Sequence, residues 1–236
     1  MTVNEMILQF KLASDNLDSS VIPDLSEEVI LYYLNEAQER FIKTRYSSNN
    51  LYKLGFEEID KRTQDLNNIK DSYYVDFTTT KESNLFKLVL NTLFDDLALT
   101  INSNAKFMFY IRGRVYTIKN GCDSKLVRIK EHQTGDLDDV EQDPFNKSIY
   151  TEPVGYFEAG NLYVKTDGSF TIGKGLITCI RRPKLINSIL ALGTISDCEL
   201  AEHTHKEIVA MAVQLAVGDV KPEKLEVKNL QAINVE

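Results

Sequence analysis

Four stretches of this chain hold residue types that could do chemistry. Gly168-Ser169-Phe170-Thr171-Ile172-Gly173-Lys174 has the glycine and lysine spacing that opens a phosphate-binding loop. Such a loop needs Ser or Thr after the lysine to hold magnesium, and then a helix whose N-terminus receives the phosphate. Gly175 follows instead, and Phe170-Thr171-Ile172 is strand material, so the stretch reads as a hairpin. His203-Thr204-His205 offers two imidazoles, but residues two apart do not share a helix face. Thr204 with Glu207 reads as a capping box ahead of the apolar run that starts at Ile208, which puts both histidines at a helix entrance near solvent or an interface. Asp136, Asp138, Asp139, Glu141 and Asp143 could gather around calcium. Counted from Asp136, however, Val140 takes the fifth position, Glu141 the sixth where glycine is needed, and Lys147 the twelfth where glutamate is needed. The stretch reads as a solvated acidic loop that either docks on a basic surface or faces DNA repulsively.

The fourth stretch has the opposite sign. Lys106, Arg112, Arg114, Lys119, Lys125, Arg128 and Lys130 face only Asp123 in that span, with Phe107, Phe109, Tyr110 and Tyr116 interleaved. Basic and aromatic residues on a sheet can bind single-stranded nucleic acid by stacking and phosphate contact. The same residues can serve as a docking surface for an acidic neighbouring subunit. No Gly-x-Ser-x-Gly, His-Glu-x-x-His or catalytic-cysteine motif occurs, and only three histidines are present. No enzyme activity, cofactor or metal is expected, although a carboxylate site assembled from distant segments leaves no mark in a sequence.

The elements that must position these residues follow from composition and period. The 236 residues, 43% hydrophobic and 26% charged, suit one large domain or one domain with appendages. A net charge of −8 argues against wholesale wrapping of nucleic acid. Three scattered cysteines (Cys122, Cys179, Cys198) make neither a disulfide framework nor a zinc site, which suggests a reduced compartment. The start of the chain lacks the basic residues of a secretion signal, and the apolar runs fall short of the ~20 residues of a membrane span. A soluble protein made inside a cell, with no membrane partner, is expected.

The first 70 residues read helical, with Val3, Met6, Ile7 and Phe10 at helical spacing. Pro23 to Glu28 is a helix start, and Val29, Ile30, Tyr33, Leu34, Ala37, Phe41 and Ile42 share one face. After the break at 47–50, a weaker helix over about 56–69 points Ile59, Leu66 and Ile69 inward. Residues 71–185 form a β-rich middle, with strands over 73–78, 107–119, 125–130, 154–158, 161–165, 169–172 and 176–180. Residues 85–99 fit two strands or a buried helix. Asn120-Gly121, Ala159-Gly160 and Asp167-Gly168 mark turns. Residues 186–220 end in a helix expected to pack on the N-terminal ones, and 221–236 form an extended tail. The fold class is α+β, helices at both ends and an antiparallel β-rich middle.

The order of several pieces resembles the head–tail connector (neck ring or adaptor) proteins of short-tailed bacteriophages, of the crAss-like type. The pieces are Leu34 to Phe41, Asp143-Pro144-Phe145-Asn146-Lys147, Gly160 to Val164, Arg181-Arg182-Pro183, and Leu200 to Val209 leading into Ala212 to Ala216. Coverage is good from about 130 to 217 and patchy elsewhere; Ala201 stands where proline is common. The resemblance implies a non-enzymatic virion protein, a twelve-fold ring below the portal that extends the DNA channel and offers a platform for tail proteins. Its implied partners are further copies of itself, the portal, other neck or tail proteins, and genome DNA passing without sequence-specific binding. Assembly in the host cytoplasm is implied as well. A closed ring needs two different complementary faces on each subunit. The candidates are Arg112, Arg114, Lys130, Arg181 and Arg182 on one side and Asp136, Asp138 and Asp139 on the other. An acidic chain also suits a lumen through which DNA slides without sticking. The competing reading is a single-stranded nucleic-acid-binding module that uses the basic, aromatic sheet at 106–130.

Overall fold

The computed structural model describes residues 1–15, 25–46, 60–80, 84–90, 107–188 and 195–220. The chain divides into two compact units, residues 1–69 with 183–236 and residues 70–182.

The first unit is helical. Helix α1 (Val3–Asp15) buries Val3, Met6, Ile7 and Phe10, the four residues at helical spacing. Its first turn carries a capping box, in which the Thr2 N–H donates to Glu5 Oε2 at 2.9 Å and the Glu5 N–H to Thr2 Oγ1 at 3.4 Å. Helix α2 (Glu27–Tyr46) has Glu27 and Glu28 in its first turn and Lys43 and Arg45 in its last, the signs its dipole favours. It buries Ile30, Leu31, Leu34, Ala37, Phe41 and Ile42, while Val29, expected inward, is largely exposed. Helix α3 (Asp60–Asp65) and a 3-10 turn (Asn67–Ile69) deliver Leu66 and Ile69 to the core. Ile59 and the expected tail at 221–236 lie outside the described residues.

The closing helix of this unit packs on α1 and α2 through Ile208, Val209, Ala212, Val213, Ala216 and Val217. It is labelled α5 here and spans His205–Val220. The N- and C-terminal helices therefore share one core. The segment after Pro183 is extended and must satisfy its own backbone. Asn35 does this from α2: its Oδ1 accepts the Ile186 N–H at 2.8 Å and its Nδ2 donates to the Ile186 carbonyl at 3.1 Å. Gln38 Nε2 donates to the Lys184 carbonyl at 3.2 Å.

The second unit holds two sheets. Strands β1 (Lys70–Asp76), β9 (Thr171–Arg181), β4 (Phe107–Ile118) and β5 (Lys125–Arg128) form one, in the order β1-β9-β4-β5. Strands β2 (Thr78–Thr79), β3 (Leu85–Val89), β8 (Asn161–Lys165), β7 (Val154–Glu158) and β6 (Lys130–His132) form the other, in the order β2-β3-β8-β7-β6. Every pairing is antiparallel except β6 with β7. Val75, Val115, Ile172 and Ile177 of the first sheet share a core with Phe86, Leu88, Leu162 and Val164 of the second. A short helix α4 (Leu137–Gln142) follows the 3-10 turn Thr134–Asp136.

Three expectations are corrected here. The strands expected at 169–172 and 176–180 are one, β9, which continues beside β4 through a register shift between the Val115–Gly175 and Thr117–Ile172 pairs. The acidic loop is largely helical, because Leu137 and Val140 give it an apolar side; Val140 is buried. The return strand expected over 125–130 is broken at Ile129. For the ambiguous stretch, 85–89 is strand and 91–99 lies outside the described residues.

The chain changes sheets at two single residues, Phe77 between β1 and β2 and Ile129 between β5 and β6. Each corner side chain lands on glycine. A Cβ at Gly155 would stand 2.4 Å from Ile129 Cγ2, and one at Gly113 would stand 2.7 Å from Ile129 Cδ1. A Cβ at Gly175 would stand 2.5 Å from Phe77 Cε2. We expect Gly155→Ala to destabilise the protein by about 1–3 kcal/mol through overpacking. Gly135→Ala, at a position where a Cβ meets nothing within 4 Å, should stay within about 0.5 kcal/mol. Urea titration of both variants checks the contrast.

Candidate functional site

The histidines lead into a charged cluster of the helical unit. Asp65 is 1% exposed. His203 Nε2 lies 2.7 Å from its Oδ1 and Arg45 Nε 3.1 Å from its Oδ2. The Arg45 approach is off the hydrogen-bond line, so that contact is Coulombic. Arg45 also pairs with Glu207 at 2.5 Å. Four segments (α2, α3, the 3-10 turn Glu202–Thr204 and α5) are thus tied through one buried carboxylate.

This overturns the capping box expected at Thr204. Its hydroxyl donates to the Ala201 carbonyl at 2.8 Å, and Glu207 turns to Arg45 instead of back to the helix start. The capping box belongs to Thr2 and Glu5, a T-x-x-E spacing equally visible in the sequence. His205 is also not near solvent: it is buried, with Nε2 at 3.0 Å from the Leu200 carbonyl, so that nitrogen carries the proton. Among the described residues, no group of three His, Cys, Asp or Glu side chains is placed to hold a metal ion. Asp65→Ala leaves Arg45 its bond to Glu207 and leaves His203 in solvent, so it should cost about 1.5–3 kcal/mol in denaturant titration, the loss of hydrogen bonding to a buried charged group.

The glycine-lysine stretch at 168–174 forms a turn and the start of β9. Gly168 takes φ +81°, Asp167 Oδ1 accepts from both the N–H and the hydroxyl of Ser169, and Phe170 enters the core. Two thiols are equally occupied by packing. Burial and the neighbouring Asp71 push Cys179 up to about 12, and burial pushes Cys198 up to about 11; Cys122 is exposed.

The basic residues separate into two groups. Arg181 and Lys130 are used inside their own unit. Arg181 Nε lies 2.9 Å from Asp71 Oδ2, which also accepts the Tyr73 hydroxyl at 3.0 Å; burial and that carboxylate hold the phenol above its ordinary range. Lys130 Nζ donates to Asn146 Oδ1 at 2.6 Å. Arg112 and Arg114 lie on the outer face of the β1-β9-β4-β5 sheet. Register places Tyr74 beside Leu176, Leu176 beside Arg114, and Arg114 beside Arg128, one row across all four strands. Tyr74 is 66% exposed, and among the described residues Arg114 and Arg128 have no ion-pair partner. Like charges directly opposite in a sheet are destabilising by tenths of a kcal/mol to about 1 kcal/mol. Arg182 is exposed, and so are Asp136 and Asp139; Asp138 lies in α4 between them, its side chain outside the described ones. Lys106 lies outside the described residues.

Residues 143–147 form a second surface feature, which the sequence carried only as a string. Asp143 Oδ1 accepts the Phe145 N–H at 2.9 Å, its Oδ2 accepts the Asn146 amide, and its carbonyl accepts the N–H groups of Asn146 and Lys147. The Phe145 bond, the Asn146 amide and nearby Lys130 hold the Asp143 carboxyl below the ordinary aspartate range. A depressed folded-state value stabilises the turn above the unfolded value, and that stabilisation is lost as pH falls through the folded one. Exchange protection of the Phe145 amide should therefore be lost at a lower pH than that at which an unfolded aspartate takes up its proton, as read by NMR.

The β unit thus carries a charged sheet face, an acidic helix and a braced turn. The chain belongs to the phage tail ring protein 3/4 family, whose match spans residues 1–223. It is similar to ring protein 4/5 of Bacteroides phage crAss001, at 28% identity over 245 residues covering 92% of each chain. It is therefore a structural ring protein of a phage particle. No helix among the described residues is long and apolar enough to cross a membrane.

Proposed function

We propose that this protein forms a ring in the phage head–tail connector, below the portal, where it extends the DNA channel and carries tail proteins without catalysing a reaction. The observation that carries the reading is the Arg114–Arg128 pair, an exposed like-charge contact in a chain of net charge −8. Such a pair costs stability in the isolated subunit, and an acidic surface laid against it removes that cost. The partner is the acidic stretch around Asp136, Asp138 and Asp139 of the adjacent copy. Arg112 extends the basic face, and Arg182 is a further exposed cation outside it. Lys130 and Arg181, bound within their own unit, support the surface and do not make the contact.

The remaining acidity suits the channel, since like charge keeps phosphates from binding strongly. The family resemblance supports a twelve-fold ring, contact with the portal and with other neck or tail proteins, and assembly in the host cytoplasm.

The double substitution Arg112→Glu with Arg114→Glu should lower ring formation roughly tenfold or more, read by mass photometry and electron micrographs, with circular dichroism showing that the subunit stays folded. Unchanged rings would remove the pairing. The competing nucleic-acid reading predicts something else: a steeply salt-dependent affinity of the unsubstituted monomer for oligonucleotides, lost in the same variant.

A further inference from the structure

Phe145 is 91% exposed. It stands on a turn held from both sides: Pro144 fixes the backbone before it, Asp143 accepts its N–H, and Asn146 is gripped by Asp143 and Lys130. An aromatic ring on a fixed backbone has little entropy left to lose on burial, which is what an interface anchor requires.

The helical unit offers a matching hollow. It is an open depression of about 340 Å³, with Val3 and Ile195 as apolar wall, Thr2 and Ser188 beside them, and Glu27 and Asp197 contributing carboxylates. That is room for a phenyl ring. Asp197 Oδ1 accepts the Val3 N–H at 2.8 Å and Glu27 Oε2 accepts the Ser188 hydroxyl at 3.3 Å, which sets both acids in place. Lys147, exposed two residues beyond Phe145, has the complementary sign. We propose that Phe145 of one copy inserts into this hollow on the next copy, with Lys147 meeting Glu27 and Asp197. Repeated head to tail, with Phe145 of each copy entering the hollow of the next, the contact is heterologous, the type from which closed rings are built. The proposal rests on the ring reading above and specifies its apolar anchor.

Disulfide trapping tests it on the full chain with Cys122→Ser as background, because Cys179 and Cys198 are buried. One pool carries Phe145→Cys and the other Ile195→Cys. Mild oxidation should give covalent dimers when the pools are mixed and none from either pool alone. Phe145→Ala should lower ring yield tenfold or more at fixed concentration with unchanged melting. Intact rings with no mixed dimer would overturn the knob contact and leave the ring reading standing. Dimers from the Phe145→Cys pool alone would overturn it in favour of a symmetric contact. No mixed dimer, with no rings from the unsubstituted chain either, would overturn the contact together with the ring reading.

Discussion

The surface of the β unit depends on how tightly Ile129 sits. One residue separates β5 of one sheet from β6 of the other, and the turn between sheets is possible because Gly113 and Gly155 leave room for the isoleucine. The Ile129 N–H donates to the Gly113 carbonyl at 3.0 Å, so the corner is bonded as well as packed. Its neighbours are sent in opposite directions. Arg128, just before it, joins Arg114 on the outer face of the first sheet. Lys130, just after it, reaches Asn146 and braces the turn that carries Phe145. Two of the surfaces argued to make ring contacts, the arginine face and the Phe145 turn, thus flank one buried side chain and the two glycines beneath it.

Helices α1, α2 and α5 were legible because each buries one face, and a buried face leaves a period in the sequence. Strand β8 was legible for the same reason at period two, with Leu162 and Val164 buried, and Gly121 and Gly160 take the positive φ their turns require. The corner at Ile129 was not legible. An isoleucine inside an apolar-alternating run reads as more strand, and nothing local says that two glycines, one of them 26 residues downstream, will meet it. Glu207 was misread for a related reason. The capping-box spacing was present, but Arg45 lies 162 residues away in sequence and offers the carboxylate a charged partner.

The candidate cations illustrate the same limit. Arg112, Arg114, Lys130 and Arg181 look alike as letters. Arg181 pairs with Asp71 and Lys130 donates to Asn146, while Arg112 and Arg114 stand on a sheet face, a difference that register and long-range pairing decide. Phe145 was quoted in a string that resembled a family, yet its exposure and its bracing belong to the three-dimensional turn. A ring subunit needs surfaces that are less comfortable alone than in company. An opposed arginine pair and a solvated phenyl ring are two such surfaces, one answered by charge and the other by burial.

Placing this chain in an intact particle tests the central claim most directly. Electron cryomicroscopy of the virion should show copies of it as a closed ring adjoining the portal, with DNA on the ring axis and each subunit's sheet face against its neighbour. Density showing isolated copies on the particle exterior, or a particle that lacks the chain, would contradict the account.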